Sequence, residues 1–444
     1  MKKIRNLSES DFLKLFFAFY TACFLAAAFL MPDRGQMISG LWQIISQPSK
    51  LTCSYFAVGG YAATFLNMGL VGVICLTLFV GLKATAGNAS TLAFILTVGF
   101  GSWGINILNV WPTFAGVVLY CLVKKEKLAA NVNAMLFSTG IAPLITDLMI
   151  RYPYAEPVGF NLPGIGLAVM VGLVIGFFLP AGLTNSPKVH KGYDLYSAAL
   201  PIGMTAFFLN AALFKTLGVE LPAGAAASQL QVASPMIANT FCCVMFGLCI
   251  LFAVLLGCRP KDYWRLLTDP ALVTNFSSTY GNAVFLMNVG SFGLFILGYY
   301  NLIGATFNGV TFGVIFCMLS TCNSGSHPGN VWPIMLGYGL ASAVCGWLSG
   351  LAGGTFTFQL NAQAICVGLC YANGLSPISD KYGWKYGTLA AVMHYLLVTS
   401  VPNLHGGYCL YNGGFTAALI CIILVPELER FVSTKEERLA LKKK

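Results

Sequence analysis

Long apolar runs separated by short basic islands dominate the pattern along this chain. Residues 51–82, 84–123, 157–187, 221–258, 270–379 and 386–426 contain no Asp, Glu, Lys or Arg. A bilayer core takes about 20 apolar residues per helix, so the run 270–379 has room for several crossings. Lys and Arg in short loops mark the cytoplasmic side. The islands are Lys2, Lys3 and Arg5; Lys124, Lys125 and Lys127; Lys188 and Lys191; Arg259, Lys261 and Arg265; and the tail from Arg430. Placing them all on one side predicts helices near 12–31, 68–83, 89–107, 110–123, 131–149, 163–182, 194–216 and 235–257. The second part adds helices near 289–304, 306–322, 331–350, 357–375, 386–402 and 408–426. The expected fold is all-α: a polytopic integral membrane protein of about 14 helices (range 10–14), multi-pass, both termini cytoplasmic, in a bacterial-type plasma membrane.

Composition sharpens this expectation by exclusion. Hydrophobic residues make up 57% of the 444 and charged residues 9%, against roughly 25% charged in a soluble domain. Disorder needs low hydrophobicity and high charge, and neither holds. The excess of 25 Lys and Arg over 15 Asp and Glu gives +10. Because the basic residues are scattered in islands rather than clustered on one face, no nucleic-acid partner is expected. Most of the 15 cysteines, among them Cys75, Cys249 and Cys421, lie inside apolar runs, where thiols act as small hydrophobes. No zinc-ligand spacing accompanies them, so neither metal nor cofactor is expected.

The chain repeats itself. A shift of 221 positions aligns residues 51–116 with 272–337 without a gap and with 15 identities. Asn67 then meets Asn288, and the NVWP motif at 109–112 meets its copy at 330–333. An HxGYxLY motif opens at His190 and again at His405, and Pro143 to Asp147 loosely echoes Pro377 to Asp380. Fixed-period similarity signals duplication. The predicted division is a tail at 1–11, a first repeat at 12–220, a non-cytoplasmic loop at 221–234, a second repeat at 235–426 and a basic tail at 427–444. Seven helices per repeat make the halves inverted, and the basic loop at 124–127 aligns with an uncharged stretch near 345–348. Inverted repeats of this kind are common in transporters.

Polar residues inside the apolar runs mark candidate chemistry. Stretches 53–66 and 274–288 read as re-entrant or half-helices, with seven Ser, Thr, Asn or Tyr among residues 274–282; packing through small residues is the competing reading. In each NVWP motif the Asn suits a helix N-cap and the Pro a first turn. Trp111 and Trp332 read equally as gates or as interfacial anchors. The candidate solute-binding set is Asn67, Asn88, Asn109, Trp111, Asn288, Asn308, His327, Asn330 and Trp332. Ionisable groups within spans are functional candidates, so Asp147, His190, Asp380 and His405 are candidates for proton coupling. Arg151, four residues after Asp147, offers a structural ion pair instead. For Asp380 beside Lys381 the competing reading is a solvated loop.

NVWP together with HxGYxLY, spread over the whole chain, resembles an uncharacterised family of bacterial membrane proteins known only as a domain of unknown function. That resemblance implies no substrate and no catalytic residue. The architecture is similar to inverted-repeat channels and carriers, including urea-channel and seven-plus-seven types, which is a fold-level likeness only. The leading expectation is a transporter or channel for a small polar solute, not an enzyme, with its site between the repeats. Its partners are the lipid bilayer and that solute, with a homo-oligomer left open. The alternatives are a membrane-embedded enzyme acting on a lipid-linked substrate, or a non-transporting scaffold or sensor. The sequence has no GxxxxGK[ST], HExxH or GxSxG motif for an ATP-driven motor or a hydrolase.

Overall fold

The computed structural model describes residues 4, 7–48, 53–219, 233–269 and 274–442, and all regular structure among them is helical. The expected loop at 221–234, apart from its last two residues, and most of the basic start (Lys2, Lys3, Arg5) lie outside the described residues. The first half comprises α1 (Glu9–Leu30), α2 (Met37–Ser46), α3 (Tyr55–Gly81), α4 (Asn88–Gly99), α5 (Trp111–Lys124), α6 (Val132–Ser138), α7 (Ala142–Arg151), α8 (Leu162–His190) and α9 (Ala199–Asn210). The second comprises α10 (Pro235–Leu255), α11 (Pro260–Thr268), α12 (Phe276–Tyr280), α13 (Asn282–Leu302), α14 (Gly309–Leu319) and α15 (Pro328–Leu351). It continues with α16 (Gln363–Ala372), α17 (Ser376–Tyr382), α18 (Trp384–Val398), α19 (Val401–Leu404), α20 (Asn412–Phe431) and α21 (Lys435–Lys442).

Among the described residues, eight helical stretches are long and apolar enough to cross a membrane, against the fourteen helices expected. The difference is physical. Segments 89–107, 110–123 and 306–322 form apolar helices too short to qualify, and 357–375 and 386–402 give helices of 10 and 15 residues. Stretch 53–66 holds a short helical turn from Tyr55, a kink at Gly60 and the first residues of the helix that then runs to Gly81, and 274–288 repeats this as α12, Gly281 and the start of α13. Large apolar side chains stand on the outside, Leu122 at 71% and Leu302 at 83% exposure. A water-facing surface rarely carries such a density of them.

Side-chain caps explain where the long helices start. Ser8 Oγ accepts from Asp11 N (3.1 Å) at α1, and Asn161 Oδ1 accepts from Gly164 N (2.8 Å) at α8. Close helix contacts need small residues. A Cβ on Gly176 of α8 would sit 2.0 Å from Thr113 O of α5, so nothing larger than glycine fits there. Outside the spans, Arg259 donates to Asp262 (2.9 Å) at the start of α11 and holds that carboxyl below the usual range.

The duplication is visible atom by atom. At the 221 shift, Gly60 (φ 86°) and Gly281 (φ 90°) both kink the chain, in α3 and between α12 and α13. That backbone region belongs to glycine. Helices α4 and α14 are also equivalent, and they pack against each other antiparallel. Gly309 lies against Ser102 O and Gly313 against Gly99 O, while Asn323 Nδ2 at the far end reaches Thr91 Oγ1 (3.4 Å). The HxGYxLY motifs cross between halves. Leu195 N donates to Gly374 O (3.1 Å), and Leu410 N donates to Gly140 O (2.8 Å). Each motif therefore docks on the break between the paired short helices of the other half.

Candidate functional site

The paired asparagines turn their amide protons into the fold, while Asn288 Oδ1 accepts from Tyr263 Oη (3.4 Å) and the buried Asn67 Oδ1 has no partner among the described residues. Asn67 Nδ2 donates to Gly101 O (2.7 Å) and Ile105 O (2.9 Å). Asn288 Nδ2 donates to Cys322 O (2.8 Å) and Ser326 O (2.9 Å), the same positions 221 residues on. Each amide thus satisfies two carbonyls of an irregular turn, where no ladder provides partners.

In the second half the cap falls three residues earlier than the sequence reading expects, and in the first half α5 begins at Trp111 with no side-chain cap. His327 Nδ1 accepts from Gly329 N (3.1 Å), while Asn330 Oδ1 accepts from His327 N (3.0 Å). Asn106 Oδ1 likewise accepts from Asn109 N (3.0 Å), and Asn109 Oδ1 accepts from Asn106 N (2.9 Å). Asn330 is therefore the reciprocal member of a capping box, and Asn109 holds the equivalent bond within the turn ahead of α5; neither is the cap. Each Nδ2 donates to a loop carbonyl, Gly104 O (2.9 Å) and Gly325 O (2.8 Å), and then to Thr146 Oγ1 (2.9 Å) and Asp380 Oδ2 (2.6 Å) respectively. Thr146, not Asp147, is thus the counterpart of Asp380, at a shift of 234 that also pairs Pro143 with Pro377.

The ionisable candidates lie in different settings. Asp147 and Arg151 form an ion pair (2.8 Å) at 0% and 1% exposure, and Arg151 also donates to Tyr154 O (3.1 Å). Asp380 sits half-buried within α17 rather than in a solvated loop. His190 Nε2 pairs with Ser197 Oγ (2.9 Å). His405 Nδ1 bonds Asn412 Oδ1, and its buried Nε2 has no partner. Trp111 and Trp332 face outward at 50% and 42% exposure, and Trp332 stacks on Trp384 with centroids 6.0 Å apart. Asn88 donates to Thr274 O (2.6 Å), joining the two halves.

One cavity of about 650 Å³ brings the halves together differently. Trp103 of the first half meets Asn308, Gln363, Thr399, Asn412 and Gly413 of the second. Of the candidate solute-binding residues, Asn308 lines it, and Asn67, Asn109, Asn288 and Asn330 do not. Trp103, Gln363 and Asn412 are cavity residues that the sequence reading misses, although Asn412 directly follows the second HxGYxLY motif. No charged side chain appears in the lining among the described residues.

The polar lining is turned to donate. Asn308 Oδ1 caps α14, accepting from Val310 N (2.9 Å) and Thr311 N (3.1 Å), and Asn308 Nδ2 donates to Gln363 Oε1 (2.6 Å). That leaves the Gln363 Nε2 protons. The bond from His405 to Asn412 Oδ1 leaves Asn412 Nδ2 likewise. The indole N–H of Trp103 is buried without a partner. Helices α14, α16 and α20 all begin at this cavity, and the starts of α16 and α20 carry no side-chain cap. Uncapped first turns present N–H groups and the positive end of the helix dipole.

No curated protein and no solved structure matches this chain. The family model described as Protein of unknown function (DUF1576) matches residues 33–216 and 260–430. One matched stretch falls in each half, so the two together take in the repeated kinks, the capping boxes, the crossed motifs and the cavity lining. The chain therefore belongs to the DUF1576 family of proteins of unknown function.

Proposed function

We propose that this protein is a membrane transporter or channel for a small polar solute, bound in the cavity beside Trp103. The observation that carries the reading is the lining: about 650 Å³ of space between the halves, without charge and mostly apolar, with a few polar groups, Asn308, Gln363 and Asn412, placed in it. Desolvated donors cost free energy unless a ligand or water meets them, and a carbonyl, hydroxyl or single carboxylate meets them well. The lining offers neither a paired acid and base nor a nucleophile with its base, which a lipid-acting enzyme would need.

Inverted repeats fit the same reading. Equivalent helices α4 and α14 run antiparallel, and the HxGYxLY segments exchange equivalent bonds. Both relations follow from a two-fold axis lying in the membrane plane. Helices of 12 and 11 residues reach only ~18 Å, too short for a bilayer core, so α4 and α14 act as re-entrant elements ending in buried turns. With the basic islands inside, the termini are cytoplasmic, and the cavity, near the loop after α13, opens to the other side. His405 adjoins the cavity through Asn412, and among the four coupling candidates it is the one we assign to proton coupling.

The test is uptake by proteoliposomes of labelled amides, polyols and monocarboxylates. Saturable uptake of one class that falls in Asn412→Leu and Gln363→Leu, with unchanged thermal unfolding, supports the reading. If no class enters faster than in protein-free vesicles, the reading fails.

A further inference from the structure

The duplication exposes a second site, at the opposite end of α13. In the first half, the chain resumes its helix after the Gly60 kink with two free amides, and a carboxylate fills them. Asp33 Oδ2 accepts from Tyr61 N (2.7 Å) and Asp33 Oδ1 accepts from Ala62 N (3.0 Å). The 221 shift carries Tyr61 and Ala62 to Asn282 and Ala283, the first two residues of α13 after the Gly281 kink. No side chain caps α13, and among the described residues no group accepts from Asn282 N or Ala283 N. Counted from the ends of α1 at Leu30 and α10 at Leu255, the place of Asp33 falls to Cys258, an uncharged residue that borders the cavity described next.

The vacated position is open. A cavity of about 290 Å³ is lined by Gly281, Asn282, Ala283, Thr279 and Arg265 of α11. Arg265 is exposed, lies 5.9 Å from the Tyr280 ring centroid and makes no ion pair among the described residues. Asp262 also borders the cavity, but its carboxylate is engaged by Arg259 (2.9 Å). Tyr280 Oη donates to Asp269 Oδ2 (2.9 Å) and is likewise occupied.

We propose that the start of α13 is an anion-binding site of the second half, taking one carboxylate or phosphate group between its two free amides and Arg265. The first half shows the bonding, with its own Asp33 as the permanently attached ligand. The second half keeps the same amides and adds a guanidinium, which suits an exchangeable anion. Occupancy then sets how firmly the kink between α12 and α13 is held, as Asp33 does for α3. The site is separate from the solute cavity, because the 21 residues of α13 hold the two ~30 Å apart.

The same chemistry comes from a free anion or from a lipid headgroup, and the test separates them. Purified full-length protein is titrated with sodium phosphate at fixed ionic strength, in phosphatidylcholine nanodiscs and in nanodiscs containing phosphatidic acid, with thermal unfolding as the readout. Asn282→Pro removes one N–H at a helix position that accepts proline, and Arg265→Gln removes the cation. The expected result is a saturable rise in unfolding temperature, with apparent affinity about tenfold weaker in each variant. A response to phosphate in phosphatidylcholine assigns a free anion, and a response only with phosphatidic acid assigns a headgroup. The proposal is overturned if neither raises the unfolding temperature saturably, or if Arg265→Gln responds like the wild type. Should Asn282→Pro fail to fold, the Arg265→Gln comparison decides alone.

Discussion

Replacing Asn288 by alanine separates a staple from a solute contact. The amide is fully buried and donates to Cys322 O (2.8 Å) and Ser326 O (2.9 Å), carbonyls of the turn between α14 and α15. Interhelical hydrogen bonds in membranes average about 0.6 kcal/mol each, which sets a floor of ~1 kcal/mol for two. The two carbonyls have no other acceptor role in the described structure, and each buried orphan costs about 1–3 kcal/mol. Asn288→Ala is therefore expected to destabilise by roughly 3 kcal/mol. Asn67→Ala, with the same two bonds at the equivalent turn, should match it closely. Asn288→Asp should be worse than alanine, because an ionised carboxylate accepts only and would face two carbonyls. Equilibrium unfolding in mixed detergent micelles, with SDS as denaturant, measures all three. A variant Asn288→Ala with wild-type stability but lost solute uptake would refute the reasoning and return this asparagine to the solute path.

Three further outcomes follow from the geometry. Gly281→Ala should cost about 1–3 kcal/mol, because φ 90° with ψ 161° is a glycine region; Gly60→Ala should cost more, since its Cβ would lie 2.4 Å from Asp33 Oδ2. Equal costs in the same unfolding assay would contradict the capping role of Asp33. Arg151→Met should cost about 3–5 kcal/mol by leaving Asp147 buried and unpaired, and Asp147→Leu/Arg151→Met should recover most of it; strictly additive losses would count against the pair. In a cysteine-free background, Lys125→Cys and Lys261→Cys should react with an impermeant maleimide only from the cytoplasmic side, and Gly354→Cys only from the other. Labelling of Gly354→Cys on the same side as Lys125→Cys would sink the inverted arrangement.

What was legible in the sequence was whatever the duplication wrote twice. The NVWP and HxGYxLY motifs mark the helix starts and the crossed docking segments because both halves need the same backbone turns. Asn67 and Asn288 were recognisable as important, but their acceptors lie 34 and 38 residues away, beyond any local spacing rule. The shift of the second-half cap to His327 is a local matter, since an i, i+3 polar pair is the signature of a capping box. The length of an apolar run does not report the length of the helix it forms, which is why 110–123 and 386–402 read as spans yet form helices of 14 and 15 residues. The solute cavity was illegible for a different reason: Trp103, Asn308, Gln363 and Asn412 meet through tertiary packing, and Trp103 has Ser324 as its counterpart 221 residues on.

Filling that space is the most direct test of the account. Val367 lines the cavity and is partly exposed to it, so Val367→Trp adds an indole where the solute would sit. Leu302→Trp, on the outer surface at 83% exposure, serves as the control. Proteoliposome uptake of whichever small polar solute the wild type carries is measured for both at matched protein incorporation. The account predicts that Val367→Trp abolishes uptake while Leu302→Trp preserves it. Wild-type uptake with the cavity filled would contradict it.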